Sequence, residues 1–279
     1  MKSDLSIDSQ VVAEKDITVL SFNIHYREAG RGRPVILLHG LGGDGSRWAR
    51  NLRPLAADFR VIAPDQIGFG QSDKPLANYH SGMLAEFLAA FMQAIGIEKA
   101  SVVGSSMGAS AAIYFAVHYP SLLDRLVLVD GGSYSPAASS SPLAPVDAHR
   151  RQIQNGVTFD ETREFFELMF YDKGLLTNKL LEESLVMRLR SAYSIGKMQE
   201  AFDRGLGSVT EEEAGKIKAR TLIVWGKYDR LLDPAIADRL HATVPGSQKV
   251  IIDNAGHLPQ LERFSEFNSV VRNFLMSAD

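Results

Sequence analysis

The stretch Val102–Pro120, "VVGSSMGASAAIYFAVHYP", decides how the rest of the chain is read. Apolar β-branched residues lead into Gly104-Ser105-Ser106-Met107-Gly108, and an alanine-rich apolar run follows, so a strand turns sharply into a helix. The five residues fit G-x-S-x-G, in which a serine sits on a strained turn and small residues two positions to either side relieve the crowding. A glycine-softened helix start would give the same five letters; the strand before and the helix after them single out the turn. Ser106 is thereby the candidate reactive hydroxyl, at a helix amino end where the N–H of Met107 faces a developing oxyanion. Ser105 is the residue before it and is not chosen.

Around this turn, short apolar runs recur, each followed by a turn and a helical pattern: "PVILLH", "FRVIAPD", "KASVVG", "DRLVLVDG", "ARTLIVWG" and "QKVIIDNAG". Near-continuous apolar strands alternating with helices describe an α/β fold with a parallel sheet covered on both faces. Ahead of them, "DITVLSFNIHYREAG" reads as one or two antiparallel edge strands. The alternation stops at Gly131 and resumes near Ala219, and the interval opens on the Ser/Pro-rich "GGSYSPAASSSPLAP". The chain therefore divides into a first core part over 1–132, an inserted helical segment over 133–215 and a second core part over 216–279. In the insertion, "DETREFFELMFYDKG" and "TNKLLEESLVMRLRSAY" carry apolar residues at helical spacing, most of which glue these helices to the core.

The 279 residues are 45% hydrophobic with a net charge of −3, enough for a sizeable core and without the basic footprint that nucleic acid or an anionic membrane surface attracts. No cysteine is present, which removes disulfides, thiolate nucleophiles and sulfur-ligated metals. The amino end lacks the apolar core of a secretory signal and no window suits a membrane span, so the cytoplasm is the default compartment.

A serine hydroxyl is a poor nucleophile near neutral pH and needs a general base, which in turn needs an orienting acceptor. Seven histidines are present. His257, in "DNAGHLPQLE", follows the last apolar strand and so lies at the carboxyl edge of the sheet, with Ser106. His39 reads as structural within its glycine loop, His118 lies a helix length from the turn, and His25, His80, His149 and His241 read as solvated or strand-borne. Asp229, in "GKYDRLLDP", again at the carboxyl edge, is the preferred acceptor for the imidazole, giving the chain order Ser, Asp, His. Asp233 precedes Pro234 as a helix cap would. Asp130, which also ends a core strand, stays as the rival.

Gly40-Leu41-Gly42-Gly43-Asp44-Gly45 fits G-x-G-x-x-G, with Asp65 twenty positions after Gly45, and so meets the sequence rule for a dinucleotide site. His39 directly before the glycines speaks against a pyrophosphate. The alternative is a backbone donor loop that turns the N–H of Leu41 toward a developing negative charge. With no HExxH and no Cys/His cluster, neither a metal nor an organic cofactor is called for.

With "HGLGG", "DQIGFGQSDKP", "GSSMG", "GKYDRLLDP" and "AGHLPQLE" in that order, the chain resembles the α/β-hydrolase superfamily over nearly its whole length outside the amino tail. The resemblance implies a mostly parallel eight-stranded sheet, a lid over 133–215, a triad of Ser106, Asp229 and His257, and oxyanion amides from Leu41 and Met107. Dehalogenases and epoxide hydrolases of the superfamily have an aspartate at the turn, and Ser106 disfavours their chemistry. The lid stretch "FYDKGLLTNKLLEE" and the tail "GHLPQLERFSEFNSVVRNFL" look like those of carbon–carbon bond hydrolases acting on ring-fission products of aromatic catabolism. That subgroup usually has Asn where Ser105 stands, Trp where Leu258 stands, and a substrate-binding Arg on the lid helix where Ser184 falls, which leaves no residue for recognition of an acid group. The expectation is a serine hydrolase of an ester-like acyl bond in a small, largely apolar substrate. A carbon–carbon bond hydrolase of a vinylogous diketone acid and a ligand-binding protein on a hydrolase scaffold are the alternatives. A homodimer is compatible with all three.

Overall fold

In a computed structural model of the protein, residues 11–132 and 158–278 are described. The Ser/Pro-rich start of the insertion and His149 lie outside them. The strands are β1 (Ala13–Val19), β2 (Phe22–Ala29), β3 (Pro34–Leu38), β4 (Arg60–Pro64), β5 (Ala100–Ser105), β6 (Leu123–Val129), β7 (Arg220–Gly226) and β8 (Gln248–Ile252). They form one sheet in the order β1-β2-β4-β3-β5-β6-β7-β8. The first two strands pair antiparallel with each other, and β2 with β4; every other pairing is parallel. This is the mostly parallel eight-stranded α/β-hydrolase sheet, and its antiparallel edge is two strands. They join at Leu20 and Ser21, which have φ of 49° and 71°, as a tight hairpin demands.

The central strands are buried on both faces because their residues alternate between two apolar layers. Ile36, Leu38, Val102, Leu128 and Trp225 point to one layer, Val35, Leu37, Val103, Val127 and Val224 to the other. The first layer is closed by helices α2 (Ser81–Ala94) and α3 (Met107–His118), the second by α1 (Ala49–Leu55) and a carboxyl-terminal helix, Phe264–Met276. In the second layer, Phe267 is fully buried with its ring 6.2 Å from that of Trp48.

Between β6 and β7, every described element is helical: α4 (Phe159–Met169), α5 (Asn178–Arg190), α6 (Ala192–Arg204) and α7 (Glu211–Ala214), with a short 3-10 turn at Lys173–Leu175. Thr158 and Glu161 form a capping box that starts α4. Phe165, Phe166 and Phe170 are buried with Leu181 and with Leu258 from beyond β8, which is the gluing expected of them. After β7 come α8 (Ala235–Thr243), α9 (Pro259–Glu262) and the carboxyl-terminal helix, α10. No helix among the described residues is long and apolar enough to cross a membrane.

Phe267→Ala empties a filled site in the layer beneath the sheet and should destabilise the protein by about 3 to 5 kcal/mol, read from urea denaturation midpoints. A loss below about 1 kcal/mol would mean that α10 does not anchor that face.

Candidate active site

The parallel register gathers the strand ends at one edge. Leu38 pairs with Gly104, Ser105 with Val129, Val129 with Val224, and Gly226 with Ile252, so the residue after each strand emerges on the same rim. Ser106 is the first residue past β5. Its φ of 54° and ψ of −115° are a strained combination for a side chain with a Cβ, held by the Ser106 N–H bond to Val129 O at 2.9 Å. A Cβ on Gly104 would run into the backbone of Gly108, and one on Gly108 into that of Leu38, so this turn closes only with glycine at both positions. Ser106 is half-buried, whereas Ser105 is fully buried and accepts a hydrogen bond from Gln260 Nε2 at 3.1 Å.

The loop after β3 lies directly against the turn: a Cβ on Gly40 would stand 3.2 Å from Ser106 Cβ. The N–H groups of Leu41 and Met107, on either side of Ser106, donate no hydrogen bond among the described residues. His39 is fully buried; its Nε2 accepts from Gln66 N at 3.0 Å and its Nδ1 bonds Gly40 O at 2.9 Å. Burial lowers its pKa, so the ring stays neutral and ties the loop after β3 to the loop after β4. Asp65, the acid that a dinucleotide site would need, accepts from Gly45 N at 2.8 Å and Gln71 N at 2.7 Å and pairs with Arg27. Its oxygens hold loops, so no ribose acceptor accompanies the glycine pattern.

His257 and Asp229 arrive from the loops after β8 and β7. These loops are zipped together by Lys227 N to Ile252 O and Tyr228 N to Ala255 O, both at 2.9 Å. His257 is fully buried, and its Nδ1 bonds Asp229 Oδ2 at 2.8 Å. The other oxygen of Asp229 accepts from Leu231 N and Leu232 N at 2.8 and 3.0 Å. The carboxylate is thus fixed and the imidazole presents Nε2, which is buried and makes no hydrogen bond among the described residues. The hydroxyl of Ser106 therefore does not hydrogen-bond to it in this conformation; such bonds are often long before substrate arrives.

The other candidates fall elsewhere. His25 bonds Asp16 and Gln71 on β2, His80 caps α2, His118 stacks on Tyr114 and His241 bonds Ser247. Asp233 accepts from Ala235 N at 2.9 Å, as a cap does. Asp130 sits behind Asp229, with φ of 43°, accepting from Gly226 N at 2.8 Å. Burial first and the neighbouring Asp229 charge second push its carboxyl well above the ordinary range. A carboxyl that holds its proton more tightly is the weaker acceptor for a developing imidazolium. One atom from each of Asp130, Asp229 and His257 lies within 4.8 Å of the others, but Nδ1 and Oδ2 already bond each other and do not face an ion.

Two arginines flank the donor loop. Arg188, on α5, is buried, lies over the ring of Phe165 at 4.7 Å, and is what a Cβ on Gly42 would meet at 3.2 Å. Arg47 lies over Phe166 at 5.3 Å and donates to Ser184 Oγ at 2.8 Å. Burial and the charge of Arg47 bring the Arg188 pKa down to about 10. Ser184, where the resemblance implies a substrate-binding arginine, lies one turn from Arg188 on the same buried face of α5. Arg47 gave no signal, since it precedes Trp48 on a short turn.

The family model for the alpha/beta hydrolase fold matches residues 33–264. A 2-hydroxy-6-oxononadienedioate/2-hydroxy-6-oxononatrienedioate hydrolase of Pseudomonas putida is 32% identical over 268 residues, covering 92% of either chain. Among solved structures, a meta-cleavage product hydrolase from Pseudomonas fluorescens IP01 superposes with a TM-score of 0.78 at 27% identity, covering 94% of this chain and 97% of that one. A thermophilic esterase from Thermogutta terrifontis superposes with a TM-score of 0.80 at 25% identity, covering 94% and 98%.

Asp130 supplies a pH test. A carboxyl whose pKa rises on folding takes up a proton as the chain folds, so it costs stability above its unfolded pKa and nothing below it. Asp130→Asn removes that cost, and the variant should be more stable than wild type near pH 8, with the margin closing toward about pH 4 in urea titrations. An equal margin at both pH values would show that Asp130 is ionised in the folded protein.

Proposed function

The chain belongs to the alpha/beta hydrolase family and is a hydrolase; from that premise we propose that Ser106, His257 and Asp229 are its triad and the N–H groups of Leu41 and Met107 its oxyanion donors. The observation that carries the reading is the buried 2.8 Å bond between His257 Nδ1 and Asp229 Oδ2, which leaves Nε2 to serve Ser106. Ser106 attacks the substrate carbonyl while His257 Nε2 takes its proton. Asp229 keeps the imidazole in the required tautomer and stabilises the imidazolium. The two amides hold the tetrahedral oxyanion; His257 returns the proton to the leaving group, and water releases the acyl group by the same steps. We read 133–215 as the lid, whose phenylalanines offer a small, largely apolar substrate its pocket wall.

A second reading keeps this machinery and changes the bond. Arg188 beside Gly42 favours an acidic substrate, such as the vinylogous diketone acids cleaved at a carbon–carbon bond, because a buried guanidinium is suited to a carboxylate. The name of the Pseudomonas putida relative, a hydrolase of a dienedioate, points the same way. In that case the dienol first tautomerises to its oxo form, Ser106 or water adds to the distal carbonyl, and the carbon–carbon bond breaks with its electron pair delocalised as a dienolate that takes the proton; water releases the acyl group where Ser106 carries it.

Ser106→Ala should lower kcat on a p-nitrophenyl ester by about 10,000-fold or more. Mass spectrometry after a fluorophosphonate probe should find the adduct on Ser106 in wild type and none in Ser106→Ala; an adduct on Ser105 would overturn the assignment. Arg188→Met separates the two readings. It should lower kcat/KM on a dienol acid by about 100-fold or more and leave a neutral ester within about threefold. Equal effects on both substrates would count against an acid site.

A further inference from the structure

Glu262, at the end of α9, takes no part in the proposed chemistry, yet its carboxylate is bonded as few surface-derived acids are. Oε1 accepts from Gly256 N at 2.7 Å, and Oε2 accepts from Tyr171 N and Asp172 N, both at 2.8 Å. The three donors belong to two segments far apart in sequence. Gly256 immediately precedes His257, while Tyr171 and Asp172 follow α4. The same two segments are joined by His257 N to Met169 O at 2.7 Å. They approach so closely that a Cβ on Gly256 would meet Met169 O and Tyr171 N. Across the strap, Tyr171 stacks on Tyr228, next to Asp229, with ring centroids 4.6 Å apart.

We propose that Glu262 is a positioning residue for the reaction: by holding Gly256 on one side and Tyr171–Asp172 on the other, it fixes the imidazole of His257 and docks the segment carrying Phe165 and Phe166 against it. Bonds from N–H groups to a carboxylate are about twice as strong as those between neutral partners, and three on one side chain define its place closely. Gly256 is buried, and its N–H left without an acceptor must find another, so losing the carboxylate displaces it; the exposed N–H groups of Tyr171 and Asp172 can turn to water, which frees their segment from Gly256. His257 sits one residue from Gly256 and is fully buried, so displacement of Gly256 passes directly to the ring. The acid is faced by the three amides and by the carboxyls of Asp172 and Asp130, with Arg263 next to it in the chain; burial outweighs the amides and raises its pKa.

The inference rests on the triad reading, and its test keeps the two apart. In Glu262→Ala, the rate of fluorophosphonate labelling at Ser106 and kcat on a p-nitrophenyl ester should each fall about 10- to 100-fold, with KM within about threefold. The acid limb of the kcat/KM profile, which reports the base, should shift, because the ring no longer holds its place against Asp229. Glu262→Gln keeps one acceptor oxygen and should fall between Ala and wild type; it also provides the measurement if Glu262→Ala does not fold. Labelling rate and pH limb within about twofold of wild type, beside a lowered melting temperature, would make Glu262 merely structural and overturn the proposal. If Ser106→Ala itself retains labelling and turnover, the triad reading fails; if it loses both while the Glu262 variants stay at the wild-type rate, only the inference fails.

Discussion

A hydrogen bond shut away from water, His257 Nδ1 to Asp229 Oδ2, joins loops whose key residues are 28 positions apart, and the working edge of the sheet is organised around it. Such a bond survives burial only because every other demand of the carboxylate is met, here by the Leu231 and Leu232 amides. Removing either partner of such a pair would leave a buried charge or donor unanswered, at a cost of about 3 to 5 kcal/mol. The acid is therefore as much a structural constraint as a chemical one. Asp130, equally close to the rim, holds its proton more tightly than an ordinary carboxyl, through its burial first and the neighbouring Asp229 second.

The second constraint is crowding at the turn. Ser106 holds a backbone conformation that costs on the order of 1 to 3 kcal/mol, and it persists because the surrounding strands leave no alternative. Gly104 and Gly108 let the helix close on the strand, and the loop after β3 comes into contact with the turn at Gly40. Strain, donor loop and base thus follow from one geometric fact, the common end of parallel strands in register. The helices between β6 and β7 then shape what the edge can accept. Their aromatic residues pack with Leu258, which follows His257, and α5 brings Arg188 against Gly42 of the loop after β3.

The sheet, the turn and the candidate triad could be read in the sequence because each depends on local rules. Apolar β-branched runs fix the strands, G-x-S-x-G between a strand and a helix fixes the strained turn, and "GKYD" and "AGHL" after strands put an acid and a base on the rim. The choice between Asp229 and Asp130 was open at that level, since both follow core strands. Only folding separates them, through the amides of Leu231 and Leu232 and the desolvation around Asp130. Ser184 shows a related limit: only the folded helix shows that Arg188 shares its buried face one turn on. Glu262 carried no signal, because its three donors lie 6, 90 and 91 residues away.

By itself, then, the sequence determined the order of strands and helices and which serine stands at the turn, since backbone sterics and hydrophobic periodicity act over a few residues. The tertiary structure alone decided which carboxyl bonds the imidazole, which cation reaches the loop after β3 and which acid ties the segment before the histidine to that after α4. Those outcomes depend on desolvation and on hydrogen bonds between segments that meet only when the sheet has formed.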